Sequence, residues 1–250
     1  MIKKLTTLSA IALAFAVAPA MAETGHAGIG YATNDEADID VWGVEAASAY
    51  GFGDAFGAQI DGAIGSADNG YDSYTSWRVN GHLFYNAGDF RVGAVVGAAQ
   101  VDTPGNEPKA FHWGLEGQYW FDRVAVGASA IWGDADWIIS PSLDYDNYDL
   151  SADFYATDNF VIGATYGVGS LDNGPSNVDT SGYGVDAEWK FDNSPISILA
   201  GYQHWEFEST TVADGWMIGA RWNWGESLLA RDRAGFRSSP AGVVERYFGF

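Results

Sequence analysis

The chain of 250 residues contains no cysteine and only seven prolines, and its 12 Lys and Arg residues are far outnumbered by 33 Asp and Glu. The absence of cysteine excludes a disulfide scaffold and a zinc site with thiolate ligands. The scarcity of basic residues argues against nucleic acid as a partner, because phosphate binding depends on clustered Lys and Arg. After the N-terminal segment, the sequence also lacks any apolar run of the roughly 20 residues that a membrane helix requires.

What the sequence does contain is apolar and aromatic. Hydrophobic residues make up 47% of the chain and aromatic residues 15%, with 32 glycines, although the formal net charge at pH 7 is -21. A disordered acidic protein would be far less apolar. The composition therefore predicts a folded chain whose acidic and apolar residues are kept apart.

The first residues have the pattern of a secretory signal peptide. Lys3 and Lys4 give the positive start, an apolar run extends from Leu5 to Ala18, and Ala20-Met21-Ala22 forms a small-x-small cleavage site. The alternative, a transmembrane anchor, is disfavoured because the run is too short to span a bilayer. We therefore predict that residues 1–22 are removed.

Beyond this segment the dominant pattern alternates with a period of two residues, which is typical of strands with one apolar face. Trp77, Val79 and Leu83, for example, share one face, whereas Arg78 and His82 share the other. Twelve such segments occur, each long enough for a tilted membrane strand of roughly 9 to 11 residues. They cover 25–33, 39–52, 55–67, 76–86, 90–102, 110–121, 124–134, 147–156, 160–171, 181–191, 196–208 and 215–225.

The connections between these segments alternate in length. One set consists of tight turns, and the other of longer and mostly more acidic loops. Transmembrane barrels carry short turns on the periplasmic side and longer loops outside. The short connections are 53–54, 87–89, 122–123, 157–159 and 192–195, and the long ones are 34–38, 68–75, 103–109, 135–146, 172–180 and 209–214.

A repeat supports the barrel. The strands that follow the short turns begin alike, as in Phe90-Arg-Val-Gly-Ala and Phe160-Val-Ile-Gly-Ala. A propeller also repeats with a similar period, but each of its blades carries four strands, whereas each period here holds two. The sequence thus predicts an all-β fold: a transmembrane antiparallel up-and-down β-barrel of about 12 strands, with short periplasmic turns and longer extracellular loops.

Aromatic residues gather beside the short turns. Aromatic residues favour strands in general, which explains their number but not this clustering. A ring at one level fits an interfacial girdle, where aromatic side chains lie among the lipid headgroups. The predicted girdle comprises Tyr50, Phe52, Tyr85, Phe90, Tyr119, Phe121, Phe154, Phe160, Trp189, Phe191, Trp222 and Trp224.

With the signal peptide, the hairpins and the terminal Phe250, the sequence resembles a Gram-negative outer-membrane β-barrel, most like a small porin-type channel. The resemblance covers residues 23–225. It implies a location in the bacterial outer membrane, contact with outer-membrane lipid and lipopolysaccharide, and the barrel-insertion machinery as a partner. Members commonly end in an aromatic residue; Phe248 and Phe250 match, whereas Arg246 is unusual for a lipid-facing strand.

The inner face is predicted to carry charge and glycine. Because small barrels are packed by side chains and barrels of 16–18 strands enclose water, about twelve strands predict a narrow aqueous lumen. Acidic residues outnumber basic ones there, and acidic rings favour cations. The expected pore-lining residues are Glu45, Asp61, Arg78, His82, Arg91, His112, Glu116, Asp149, Asp153, Asp186, Glu188, Lys190 and Arg221.

The expected function is passive diffusion of small hydrophilic solutes or ions, with cation preference. The alternative is a non-conducting structural or adhesive outer-membrane barrel, in which the inner charges pair and close the lumen. No nucleophile elbow, H-E-x-x-H or other compact catalytic pattern occurs, so we predict no enzyme activity, cofactor or metal. The sequence does not indicate an oligomeric state.

The tail, residues 226–250, differs from the strands because it is rich in arginine: Arg231, Arg233, Arg237 and Arg246. Two interpretations are open. The tail is either a mobile periplasmic extension, as chain ends commonly are, or a partial plug that enters the acidic lumen.

Overall fold

The computed structural model describes residues 23–36, 38–53, 55–68, 73–102, 107–137, 140–172, 174, 177–208 and 210–237. The predicted signal peptide, residues 1–22, and the end of the tail, residues 238–250, lie outside the described residues. Among the described residues, no helix is long and apolar enough to cross a membrane.

Within the described part of the chain, twelve antiparallel strands form a closed barrel in which each strand pairs with its sequence neighbours and the last pairs with the first. Closure pairs the backbone groups that an open sheet edge would leave exposed. This confirms the predicted fold class. The strands are β1 Thr24–Asn34, β2 Ile39–Phe52, β3 Phe56–Asp68, β4 Ser73–Ala87, β5 Phe90–Asp102, β6 Lys109–Phe121, β7 Val124–Trp137, β8 Ser140–Thr157, β9 Phe160–Asp172, β10 Asn177–Lys190, β11 Ile196–Phe207 and β12 Thr210–Trp224.

The strands extend further toward the long-loop end than the sequence pattern predicts. The predicted loop 135–146 is wrong, because β7 continues to Trp137 and β8 begins at Ser140. Leu143 and Tyr145 are buried on the inner face while Asp144 between them is exposed. This alternation is that of a half-buried strand, and the acidic residues of its exposed face gave it the composition of a loop.

The two faces of the barrel differ as expected for a membrane barrel and opposite to a soluble protein. Large apolar side chains point outward and are exposed, with Leu83 at 68% and Leu150 at 61% of full exposure. Charged and amide side chains are buried inside: Glu188 is 0% and Asn80 1% exposed. An apolar surface of this extent meets lipid rather than water.

Part of the inner wall near the loop end is apolar. Buried side chains from β5 to β9, including Val101, Ile131 and Tyr145, form one cluster. Phe207 and Val178, from β11 and β10, pack against it. The interior is therefore divided, with an apolar cluster toward the loops and charged groups toward the turns.

After β12 the chain turns back into the barrel. Gly225 lies at the bend with φ of 108°, a conformation that favours glycine. A short helix, α1 (Leu228–Ala234), follows; its N-terminus is capped by the Ser227 hydroxyl, which accepts from the Ala230 N–H at 3.1 Å. We call residues 227–237 the C-terminal segment.

Candidate functional site

The charged residues predicted to line the lumen project from the inner face of the barrel. Asp61, His82, Arg91, His112, Glu116, Asp153, Glu188 and Lys190 are buried, and Glu45, Arg78, Asp149, Asp186 and Arg221 are partly buried. They do not form a single ring. The structure distributes them among several networks, of which those near the turn end include the C-terminal segment.

Arg231 of α1 is the centre of the largest network. Its guanidinium contacts both carboxylate oxygens of Glu188, at 3.0 and 2.9 Å, and Asp232 at 2.7 Å. Arg221 bonds the same Glu188 at 2.7 Å and Glu45 at 2.5 Å. Burial disfavours the charged form of Arg231. The negative charges of Asp232 and Glu188 have a larger, opposite effect and hold the pKa of Arg231 well above its usual value. The network thus links α1 to three strands through charge-assisted hydrogen bonds.

Arg237 forms a second network just beyond α1. It pairs with Asp153 at 2.7 Å and with Asp186, and both carboxylates come from neighbouring parts of the inner wall. The buried Tyr155 hydroxyl donates to Asp232 at 2.8 Å. These contacts attach the segment to β8 and β10 in addition to the Arg231 network.

Phe236 is held by a third group of residues. The Gln59 amide both accepts from the Phe236 N–H at 2.7 Å and donates to its carbonyl at 3.1 Å. The Phe236 ring lies 5.8 Å from the ring of His82, which bridges Asp61 at 2.7 Å and Glu116 at 2.8 Å. The side chain of Gln59 on β3 therefore pairs with both backbone polar groups of Phe236.

Arg91 supports the same region from β5. It donates to the carbonyls of Gly235 and Arg233, and its guanidinium lies 4.6 Å from the Phe84 ring centre. Arg233 in turn lies over Trp120, 4.9 Å from its ring centre. Cations above aromatic faces add attraction to these hydrogen bonds.

An apolar contact completes the attachment of α1. Leu228 is fully buried against Trp120, Ala125, Tyr155 and Val161 of the inner wall. Burying a leucine side chain contributes roughly 1.5–3 kcal/mol. The C-terminal segment is thus joined to the inner wall by ion pairs, hydrogen bonds and an apolar anchor.

Three of the four remaining predicted residues, all except Arg78, bind other groups of the chain. Asp149 accepts from Asn147 at 2.6 Å, and His112 lies 3.0 Å from the amide oxygen of Asn80. Lys190 donates to the Glu226 carbonyl at 3.1 Å. Most of these inner charges therefore have partners within the wall or the segment.

A cavity of about 340 Å³ lies on the loop side of the C-terminal segment, along β1 to β4 and β10 to β12. Arg237 lines it at the segment, and Ala32 and Val41 line it toward the loops. Its charged lining includes Glu45, Asp61, Arg78, Asp186 and Arg221. This volume is at the lower end of the range of small-molecule pockets, about 300–1,000 Å³.

The predicted girdle residues project from the outer face of the barrel near the turns. Phe52, Tyr85, Phe90, Tyr119, Phe121, Phe154, Trp189 and Trp222 are exposed, and Tyr50, Phe160, Phe191 and Trp224 are partly buried. Two pairs of girdle residues that lie two positions apart along the chain are in ring contact: Trp189 with Phe191, centroids 4.8 Å apart, and Tyr119 with Phe121, centroids 4.4 Å apart.

The sequence analysis identified the wall charges that hold the C-terminal segment, among them Glu188, Asp153 and Asp186, but not the inward-facing aromatic residues against which the segment packs. Trp120 and Tyr155 also lie beside short turns, but the alternation places them on the inner face, opposite the girdle. A large aromatic side chain facing inward next to a turn needs something inside the barrel to pack against. That signal, combined with the arginine-rich tail, was available in the sequence.

No protein-family model matches the chain, and no curated protein matches its sequence. Several solved structures nevertheless share its fold. The COG4313 outer membrane channel from Pseudomonas putida F1 is similar with a TM-score of 0.60 at 12% identity, over 80% of this chain and 93% of that one. The KdgM porin, solved in complex with disordered oligogalacturonate, is similar with a TM-score of 0.56 at 11% identity, over 80% of this chain and 99% of that one.

Among the described residues, no group of three or more His, Cys, Asp or Glu side chains is arranged to hold a metal ion. The closed barrel, its apolar outer face and the similar structures confirm the predicted resemblance and the outer-membrane location. The chain has the fold of the outer-membrane β-barrel porins and channels.

Proposed function

We propose that the chain is an outer-membrane channel for passive diffusion of small hydrophilic solutes or ions, and that the C-terminal segment closes its turn end. The observation that carries the proposal is the cavity of about 340 Å³ inside a closed barrel, lined by charged side chains and ending at Arg237. A barrel built only as a scaffold would be expected to fill this space with side chains, as small barrels do.

The contacts of the C-terminal segment support a plug that is released as a unit. Arg231 and Arg237 bind carboxylates of the wall, and Leu228 fills an apolar site. None of these contacts is covalent, and a helix of seven residues is too short to be stable on its own. The segment therefore folds against the wall or not at all, which suits a two-state closure.

Cation preference is the finer part of the proposal. The wall carboxylates outnumber the wall cations, but Arg231 and Arg237 of the segment neutralise Glu188, Asp153 and Asp186. Removal of the segment frees Asp153 and Asp186 and leaves Glu188 paired with Arg221 alone, and rings of acidic side chains favour cations. Selectivity is accordingly a property of the open channel.

The alternative of a non-conducting barrel also has an observation in its favour. The apolar cluster around Val101, Ile131 and Tyr145 occupies part of the lumen near the loops. In that case the inner charges serve only to hold the segment. Outer-membrane lipid, lipopolysaccharide and the barrel-insertion machinery remain the proposed partners under either function, and neither requires enzyme activity or a cofactor.

Single-channel recording in planar bilayers separates the two functions. We expect low conductance for the mature chain, a several-fold larger conductance after deletion of residues 227–250, and an intermediate increase for the full-length double variant Arg231→Gln, Arg237→Gln. Arg123→Gln is the control, because the Arg123–Asp158 pair at 2.8 Å lies outside the lumen and both side chains are largely exposed. If no form conducts, the barrel is structural; if deletion leaves conductance unchanged, the segment is not a plug.

Reversal potentials in a salt gradient test selectivity. We expect the deletion to shift the permeability ratio toward cations relative to the full chain, because Asp153 and Asp186 lose Arg237 and Glu188 loses one of its two arginines, Arg231. The further substitution Glu188→Gln in the deleted chain reduces that preference. An anion preference in the deleted chain contradicts the assignment.

A further inference from the structure

The cavity beside the C-terminal segment is hollow because of a row of glycines. Gly219, Gly30, Gly43 and Gly65 are direct cross-strand partners on β12, β1, β2 and β3. All four lie in its lining. One level nearer the turns, the paired residues run Arg221, Gly28, Glu45, Ala63 and Arg78. Small residues on four adjacent strands leave a recess in the wall with charged side chains along one edge.

The carboxylates of this recess are already neutralised. Glu45 pairs with Arg221 at 2.5 Å, Asp61 with His82 at 2.7 Å, and Asp186 with Arg237. A cationic ligand would have to compete with a protein cation at each of these positions. The acidic groups therefore do not define the binding preference of the recess.

Arg78 differs from the other cations of the recess. Within the described residues it forms no ion pair closer than 4.0 Å, although Glu45 and Asp61 lie near enough to feel its charge. Its Nε atom is buried and has no hydrogen-bond partner. A buried donor without a partner costs roughly 1–3 kcal/mol, and more on a charged group. Arg78 also lines the cavity, and a guanidinium without an ion-pair partner is suited to receive a planar carboxylate with two parallel hydrogen bonds.

We propose that the recess is a binding site for a small hydroxylated carboxylate, with Arg78 as the ligand of the carboxylate group. Gln203 lines the same cavity, and no hydrogen bond joins its amide to another described group, so it is available for hydroxyl groups. Leu199 and Met217 supply apolar surface for the carbon chain. The site lies on the loop side of the C-terminal segment, so binding does not require that the barrel conducts.

Equilibrium binding to the full mature chain in detergent micelles tests the site without reference to conductance. The probes are gluconate and sorbitol, which have the same number of carbons and differ in one carboxylate. We expect gluconate to bind and sorbitol to bind at least about tenfold more weakly, because only the carboxylate engages the charged fork. Isothermal titration calorimetry measures both.

Substitutions at two positions locate the site. Arg78→Gln is expected to weaken gluconate binding at least about tenfold. Arg78→Lys is expected to have an intermediate affinity, because an ammonium group keeps the charge but cannot form two parallel hydrogen bonds to a carboxylate. Gly30→Leu fills the recess, since a Cβ at Gly30 meets only the Ile218 carbonyl, at 3.5 Å. Arg123→Gln removes a charge far from the recess and is expected to leave binding unchanged. Circular dichroism of each variant verifies the folded barrel.

Three results overturn the proposal: equal binding of sorbitol and gluconate, wild-type gluconate affinity in folded Arg78→Gln, or competition by inorganic sulfate as strong as that by gluconate itself. The last result indicates a general oxyanion site rather than a carboxylate site. The conductance recordings test the channel function separately. A barrel that binds gluconate but does not conduct contradicts the proposed channel function and leaves the proposed binding site in place.

Discussion

Gly163 illustrates how a single position couples the wall to the C-terminal segment. It lies on the inner face of β9, directly opposite Asp153 and Asp186 in the strand ladder. A Cβ built there would collide with the Arg237 guanidinium and would lie 2.7 Å from Asp186 and 2.8 Å from Asp153. The ion pairs of Arg237 therefore fit only because this residue has no side chain.

The substitution Gly163→Ala is expected to displace Arg237 from its two carboxylates. Overpacking of this kind costs about 1–3 kcal/mol, and the weakening of the buried ion pairs of Arg237 adds to that cost. Urea titration of the barrel in micelles measures the loss of stability. Gly81→Ala is the matched control, because a Cβ there has nothing within 4 Å; equal effects of the two variants contradict this account of the packing.

Helix α1 shows how a short element depends on its surroundings. Its seven residues have a capped N-terminus, but isolated helices shorter than about 12–15 residues are marginal in water. Its stability comes from the pairing of Arg231 with Glu188 and from the burial of Leu228. The helix therefore exists because the barrel provides a surface for it.

We expect Leu228→Ala to loosen α1 without opening the barrel. Truncating a buried leucine costs about 2–5 kcal/mol, so amide exchange at Ala230 and Arg231 should accelerate by at least about tenfold while strand amides stay protected. Hydrogen exchange followed by mass spectrometry measures this. Leu115→Ala on the exposed outer face, where Leu115 is 57% exposed, should leave α1 unchanged. Unaltered exchange in Leu228→Ala contradicts the anchor.

The entire barrel is arranged around two solvents, with lipid outside and a polar or protein-filled interior. Outward residues such as Leu150 are apolar and exposed, while their sequence neighbours face inward toward charge. The free energy of unfolding therefore depends on the bilayer. The cost of placing a charged residue at an outward position depends on how deep that position lies in the membrane.

Replacing Leu150 by arginine is expected to destabilise the barrel in vesicles by about 2–4 kcal/mol, because the new charge lies in the hydrocarbon region. Asp144→Arg, on the same face of β8 but near the loop end, is expected to cost about 0–1 kcal/mol. Denaturant titration of barrels refolded into vesicles gives both values. A similar cost for both variants contradicts the assigned depth.

Much of this architecture is local in origin, and the sequence pattern therefore predicts it. Alternation along each segment determines which side chains point outward, as Trp77 and Leu83 show, and tight turns determine which strands pair. The structure departs from the prediction where composition conflicts with alternation, as in 135–146, because acidic residues on an exposed strand face have the composition of a loop.

The interior depends on contacts that no local pattern specifies. The pairing of Arg231 with Glu188, the row from Gly219 to Gly65 and the unpaired Nε of Arg78 all require the register of strands that are distant in the chain. Hydrophobic alternation determines which face of a strand points outward, because each side chain points either to the lipid or to the lumen. Which inner charges meet is decided by closure of the barrel, since closure alone brings β12 beside β1 and the C-terminal segment among the wall carboxylates.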